Sequence, residues 1–265
     1  MSDTPFIVTL LTDFGTEDAY VGALHGAILS VDKRVRVVDI SHHLGRHDIH
    51  RGAYLLDFVA STFPDGTVHC VVVDPGVGTT REAIVLAGGN QLFVGPDNGV
   101  LAPAVKRVKG REARRVEIPK AASSTFHGRD VFAPTAAKLA SGSLSFQDLP
   151  PLESWIDLDF GEPLVLGAKE LKASIICKDG FGNLVSNIER EKYANEFISG
   201  KFKLRCGGIE TGLLYDCYED AEGEEVFCLW GSGKKLEISL RQASAASLLE
   251  MGKGEEWPDI YVEFF

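Results

Sequence analysis

Residues Val68–Ala87 read VHCVVVDPGVGTTREAIVLA, and the left half of this stretch decides the fold. Val68–Val73 is a strongly apolar run of strand length, interrupted only by His69, and Pro75 ends it because proline has no N–H to give to a sheet ladder. Gly76 and Gly78 admit positive φ, so the backbone can double back tightly. The glycines are thereby explained, whereas a carboxylate at the strand end (Asp74) and a guanidinium across the turn (Arg81) are not.

Working outward, strand-like and helix-like patterns alternate through the first half. Ile7–Thr12 is a short strand. Tyr20, Ala23, Leu24, Ala27 and Ile28 follow at helical spacing, with Thr16 as a candidate cap. Val35–Ile40 is a second strand, and Ile49, Ala53, Leu56, Ala60 and Phe63 form the apolar face of a second helix. Strands are also expected at Ala83–Leu86 and Leu92–Val94, and a helix at Arg129–Ala140. Such alternation predicts a Rossmann-like α/β domain with a mostly parallel sheet. Ser141–Pro163 is rich in Gly, Ser, Pro and acidic residues, which places a linker from about 141 and a boundary between domains 1–163 and 164–265. Beyond it, short strands (Ala173–Cys177, Leu184–Ser186, Val226–Leu229, Leu236–Leu240, Ile260–Phe265) and one helix near Ala243–Met251 predict a mostly antiparallel β domain.

At 265 residues and 45% hydrophobic content the chain can bury a large core, as one large or two medium domains. A net charge of -11 argues against nucleic acid as a partner. The five cysteines are odd in number and lack C-x-x-C spacing, which argues against a disulfide framework and a zinc site. No apolar run approaches the ~20 residues that cross a bilayer, and no signal segment opens the chain, so a cytoplasmic protein without membrane contact is expected.

Asp13, Asp39 and Asp74 each follow or end one of the first three strands, the edge at which open parallel sheets bind ligands. Asp13, in TDFG, suits either the two hydroxyls of a ribose or the cap of the next helix. Asp13, His25, Asp39, His42, His43, His47, His50 and Asp74 also offer a set from which a metal-dependent phosphoesterase could be built, although no recognised metal spacing occurs. The turn glycines resemble a phosphate loop only loosely, since its lysine is missing. His127, in SSTFHGRDVFAP, precedes a helix. Together Asp74, Arg81 and His127 would make a water-activating set.

Six ordered motifs, LLTDFG, ISHHLGRHDIHRGAYLL, VVVDPGVGTTR, FVGPDNGVL, TFHGRDVFAP and KDGFGNLVSNI, resemble the S-adenosyl-L-methionine hydrolases, or hydroxide adenosyltransferases, relatives of the fluorinases and chlorinases. Toward the C-terminus the family's Gly-Ser-Ser-Gly stands as GSGK, with Ser232 kept, and its Gln-Gly-Asn-Ala-Ala as QASAA, with Ala245 in register. The resemblance implies an N-terminal α/β domain, a C-terminal β-barrel-like domain and a homotrimer with sites between chains. It implies hydrolysis of S-adenosylmethionine to adenosine and methionine without metal or organic cofactor. Asp74, Arg81 and His127 would be the hydrolytic trio and Asp13 the ribose acceptor. Asp179 would take the methionine amino group, Asn183 the adenine edge, and Phe181 and Tyr218 would pack on the nucleoside, with Ser232 and Ala245 nearby. The halide-using relatives carry tyrosines where Asp74 and His127 stand here. A phosphoesterase and a non-catalytic adenosine-binding module are the alternatives.

Overall fold

The computed structural model describes residues 6–199, 201–249 and 256–265, and divides into two compact units, Met1–Asp159 and Phe160–Phe265. The first runs β1 (Phe6–Thr12), α1 (Tyr20–Val31), β2 (Val35–Ser41), α2 (Ile49–Ala60), β3 (Val68–Val72), β4 (Ala83–Gly88), β5 (Gln91–Pro96), α3 (Ala102–Arg107), β6 (Glu112–Val116) and α4 (Ala133–Ser141). Its six strands lie in the order β2-β1-β3-β5-β4-β6. The first four are parallel, and β4 is antiparallel to both of its neighbours. Gly89 and Asn90, at φ 57 and 58, supply the left-handed pair that a tight β4–β5 hairpin needs. On one face Val8, Leu10, Cys70 and Val72 pack with Leu24 and Ile28 of α1 and Ala136 of α4.

Two helix starts differ from the sequence reading. Thr16 does not cap α1: the helix begins at Tyr20 behind Ala19 with no side-chain cap. The intervening loop is instead turned at Gly15, φ 69, whose N–H donates to His42 O at 2.7 Å. The helix expected from Arg129 opens as a π turn over Gly128–Phe132, closed by Ala133 N–H on Gly128 O, just ahead of Pro134, which has no N–H to donate.

The second unit holds β7 (Leu164–Gly167), β8 (Glu170–Ala173), β9 (Ile175–Lys178), β10 (Leu184–Glu189), α5 (Arg190–Ser199), β11 (Phe202–Cys206), β12 (Ile209–Thr211), β13 (Leu214–Tyr215), β14 (Val226–Trp230), β15 (Lys235–Leu240) and β16 (Ile260–Phe264). They form two five-stranded sheets, β13-β14-β15-β10-β9 and β12-β11-β16-β8-β7. Pairing is antiparallel apart from β13 with β14. Both sheets are open-ended among the described residues, so the closed part of the barrel-like expectation is replaced by two sheets around Leu184, Leu204, Ile238 and Val262. The expected helix near Ala243 is a 3-10 turn, Ala245–Leu248; Glu250 and Met251 lie outside the described residues.

His69 sits wholly buried in the first core, bonded through Nδ1 to Thr9 Oγ1 at 2.9 Å and stacked on Phe93 at 4.9 Å. Burial lowers its pKa to about 4. The unfolded chain therefore takes up this proton near pH 6.5 and the folded chain only near 4. Stability is full above 6.5 and falls through that window by on the order of 3 kcal/mol. Urea unfolding at pH 7 and 4.5 should show that loss, and His69→Gln should remove much of it; an equal acid slope in both proteins would refute the assignment.

Candidate functional site

The turn after β3 places a carboxylate at the sheet's carboxyl edge and returns a guanidinium onto it. Val77 N–H donates to Asp74 O at 3.3 Å and Thr79 N–H to Gly76 O at 3.1 Å, closing two successive turns. Gly78 is required twice over: its φ is 77, and a Cβ there would lie 2.4 Å from Ser124 O. Its bare backbone thus lets the turn press against the loop that carries Phe126 and His127. Arg81 Nε donates to Asp74 Oδ1 at 3.0 Å, and Arg81 Nη2 donates both to Asp74 Oδ2 and, at 2.8 Å, to His127 Nδ1. The Asp74 and Arg81 side chains are 4% and 10% exposed, so this is a buried, bidentate ion pair that also reaches a buried histidine. Burial, and next the Arg81 charge, hold the His127 pKa below the ordinary imidazole value, with Asp74 and Asp130 pulling the other way.

A guanidinium only donates hydrogen bonds, so His127 Nδ1 must be the acceptor. The proton of the neutral ring then resides on Nε2. Above the trio lies a cleft of 370 Å3 lined by Asp13, Asp74, His127 and, on one wall, Phe14, Tyr20 and Phe126. Asp13 Oδ2 accepts from His47 N–H at 2.8 Å, which orients the carboxylate and leaves Oδ1 without a hydrogen-bond partner among the described residues. Three of the five imidazoles weighed as metal ligands are engaged in hydrogen bonds of their own, while His47 borders the cleft. His25 Nε2 bonds Asp39 Oδ1 at 2.9 Å, His42 Nδ1 bonds Thr12 Oγ1 at 2.8 Å, and His43 Nε2 bonds Thr16 Oγ1 at 3.3 Å. Among the described residues no three His, Cys, Asp or Glu side chains are grouped to hold a metal ion.

In the second unit Asp179 staples its own loop: Oδ1 accepts from Phe181 N–H at 2.8 Å and Asn183 N–H at 2.9 Å. Asn183 Nδ2 donates to Asp179 Oδ2 at 2.8 Å and to the Tyr218 hydroxyl at 3.2 Å, and that hydroxyl donates to Glu237 Oε2 at 3.1 Å. Both amide hydrogens are spent, so Asn183 presents only its carbonyl oxygen to a ligand. Burial raises the pKa of both Tyr218 and Glu237. Gly182, φ 90, passes so close to Ser244 that a Cβ would meet Oγ at 2.2 Å, and Ala246 N–H donates to Gly182 O at 2.9 Å. Ala245 is buried in that turn. Ser232 is exposed in the β14–β15 turn and bonds to no member of this cluster, and Phe181 is 85% exposed.

The N-terminal domain of the SAM hydroxide adenosyltransferases matches residues 8–150 and their C-terminal domain residues 173–258. The chain belongs to that family. A Salinispora arenicola protein named (R)-S-adenosyl-L-methionine hydrolase is 40% identical over 191 residues, covering 69% of this chain and 72% of its own. A Methanocaldococcus jannaschii protein of the same name is 32% identical over 265 residues, 96% of each chain. The crystal structure of an uncharacterized conserved protein from Thermotoga maritima superposes with a TM-score of 0.85 at 31% identity, covering 96% of this chain and 99% of that one.

Sequence reasoning about this SAM hydroxide adenosyltransferase chain missed Phe14, Tyr20 and Phe126 as one wall, and Glu237 behind Tyr218. Phe126 stands more than a hundred residues from the other two in sequence, and Tyr20 reads as the first apolar position of a helix. Glu237 alternates with apolar neighbours in β15, where a glutamate usually faces solvent; here it is 8% exposed. Gly231 makes room for it, since a Cβ there would lie 1.8 Å from Glu237 Oε1, a closeness that only the coordinates reveal.

Proposed function

We propose that this chain hydrolyses (R)-S-adenosyl-L-methionine to adenosine and L-methionine, by in-line attack of water at the ribose 5′ carbon. The observation that carries this reading is the Asp74–Arg81–His127 contact at the floor of a cleft that also holds Asp13. The leaving group is a neutral thioether expelled from a sulfonium, so it needs no proton and a general acid has no task. Only the nucleophile needs help, and a positioned base typically contributes ~10²–10⁴-fold. Asp74 is the acceptor for the water's proton, and Arg81 fixes its carboxylate in place. His127, protonated on Nε2, donates to the water oxygen and aligns its lone pair with C5′. A ribose whose hydroxyls bond Asp13 Oδ1 would present its 5′ carbon to this group.

The carbonyl oxygen that remains to Asn183 suits the exocyclic amine of adenine, with Tyr218 and Phe181 against the nucleoside and the Ser244–Ala246 turn beside it. Asp179 keeps one free lone pair on Oδ2 for the methionine ammonium. Ser232 has no support from its surroundings. To test the activity, purified protein is incubated with S-adenosylmethionine in EDTA and the products are chromatographed. Adenosine and methionine in equal amounts are expected, and no turnover until a divalent metal is restored would overturn the reading.

The assembly belongs to the same proposal: a homotrimer in which the Asp74 cleft of one chain and the Asn183 cluster of its neighbour serve one substrate. Asp74→Ala and Asn183→Ala chains are each expected to be inactive. Co-expressed with different tags and isolated as mixed trimers, they should regain activity, because some sites then draw an intact half from each chain. Inactive mixed trimers, with both variants folded by circular dichroism, would contradict the intersubunit site.

A further inference from the structure

The trio and Asp13 leave one wall of the cleft without a task. Phe14, Tyr20 and Phe126 meet there at centroid separations of 5.8, 5.9 and 5.3 Å and interplanar angles of 56, 69 and 88°. Mutually tilted rings cannot spend all their faces on one another, and Tyr20 remains 50% exposed. The electron-rich faces attract cations: Arg129, paired with Asp130, already lies 5.1 Å from the centre of Phe126. Asp18 lines the same cleft and makes no hydrogen bond or ion pair among the described residues. Arg46 and His47 also border it, so the cleft is not uniformly acidic, and discrimination must come from the wall itself.

We infer that Phe14, Tyr20 and Phe126, with Asp18, select the positive charge on the substrate's sulfur, so that a sulfonium binds in preference to a neutral thioether of nearly the same shape. This rests on S-adenosylmethionine being the substrate. A ring quadrupole favours a cation over a neutral group by enough to give roughly a tenfold preference. The charge on sulfur vanishes as its bond to C5′ breaks. The wall therefore stabilises the ground state more than the transition state, and it loosens its hold on the neutral methionine product.

The test compares binding of S-adenosylmethionine with that of S-adenosyl-L-homocysteine by calorimetry, and adds steady-state kinetics. Wild type should prefer the sulfonium by ~10-fold or more. Tyr20→Leu, at a half-exposed position where folding is little affected, should lose several-fold of that ratio through the sulfonium alone, and Tyr20→Phe should keep it. Tyr20→Leu should also raise KM while kcat holds or rises. An unchanged ratio, equal losses for both ligands, or a fall in kcat would overturn the inference; Phe14→Leu repeats the comparison should the first variant misfold. Wild type that binds both ligands but turns over neither would instead refute the proposed reaction.

Discussion

Asp74→Asn is expected to lower kcat by ~10²–10⁴-fold while leaving the affinity for S-adenosylmethionine within a few-fold of wild type. The substitution preserves the outline of a side chain that is 4% exposed and removes only its charge and half its acceptor capacity. Water bound above it would lose the group that takes its proton. Ribose and adenine contacts are made by other residues in this account, so binding has no reason to change. An amide nitrogen facing Arg81 would also place donor against donor, so thermal unfolding must show the variant folded. Wild-type kcat would remove Asp74 from the chemistry.

Arg81→Met is expected to cost ~3–5 kcal/mol of stability, because it leaves the Asp74 carboxylate buried without its partner. That is a large part of the ~5–15 kcal/mol by which domains are stable. Arg81 donates through two nitrogens to Asp74, reaches His127 with one of them, and stacks 5.1 Å from the centre of Phe132, so methionine replaces only the packing. Adding Asp74→Leu should recover much of the loss, since an apolar pair no longer strands a charge. Additive losses in a denaturant-melt cycle would show that the two side chains do not act as a unit.

The parallel core was legible because periodicity reports burial. Val68–Val72 and the stripe at Ile49, Ala53, Leu56 and Ala60 fall where apolar spacing puts them. The helix α5 was not, because REKYANEFIS carries little more than Tyr193 and Phe197 on its apolar side. β6, EARRV, hides a strand pattern under two arginines, and α3 is too short to show a period. For the site, strand-end carboxylates and glycine turns pointed to Asp13, Asp74 and Arg81. The role of each nitrogen of His127 needed coordinates, since it follows from the Arg81 donor aimed at Nδ1. The same is true of Asn183, which keeps only its carbonyl for a ligand because Asp179 and Tyr218 take both amide hydrogens.

Turnover in water enriched in oxygen-18 tests the central claim most directly. Attack by water at C5′ puts the heavy oxygen on the 5′ hydroxyl of adenosine, one atom per molecule, and leaves methionine unlabelled. Mass spectrometry should find that label in wild-type product and its formation slowed in parallel with kcat in Asp74→Asn. Adenosine without heavy oxygen, label in a product other than adenosine, or no adenosine at all would contradict a water-activating Asp74–Arg81–His127 site.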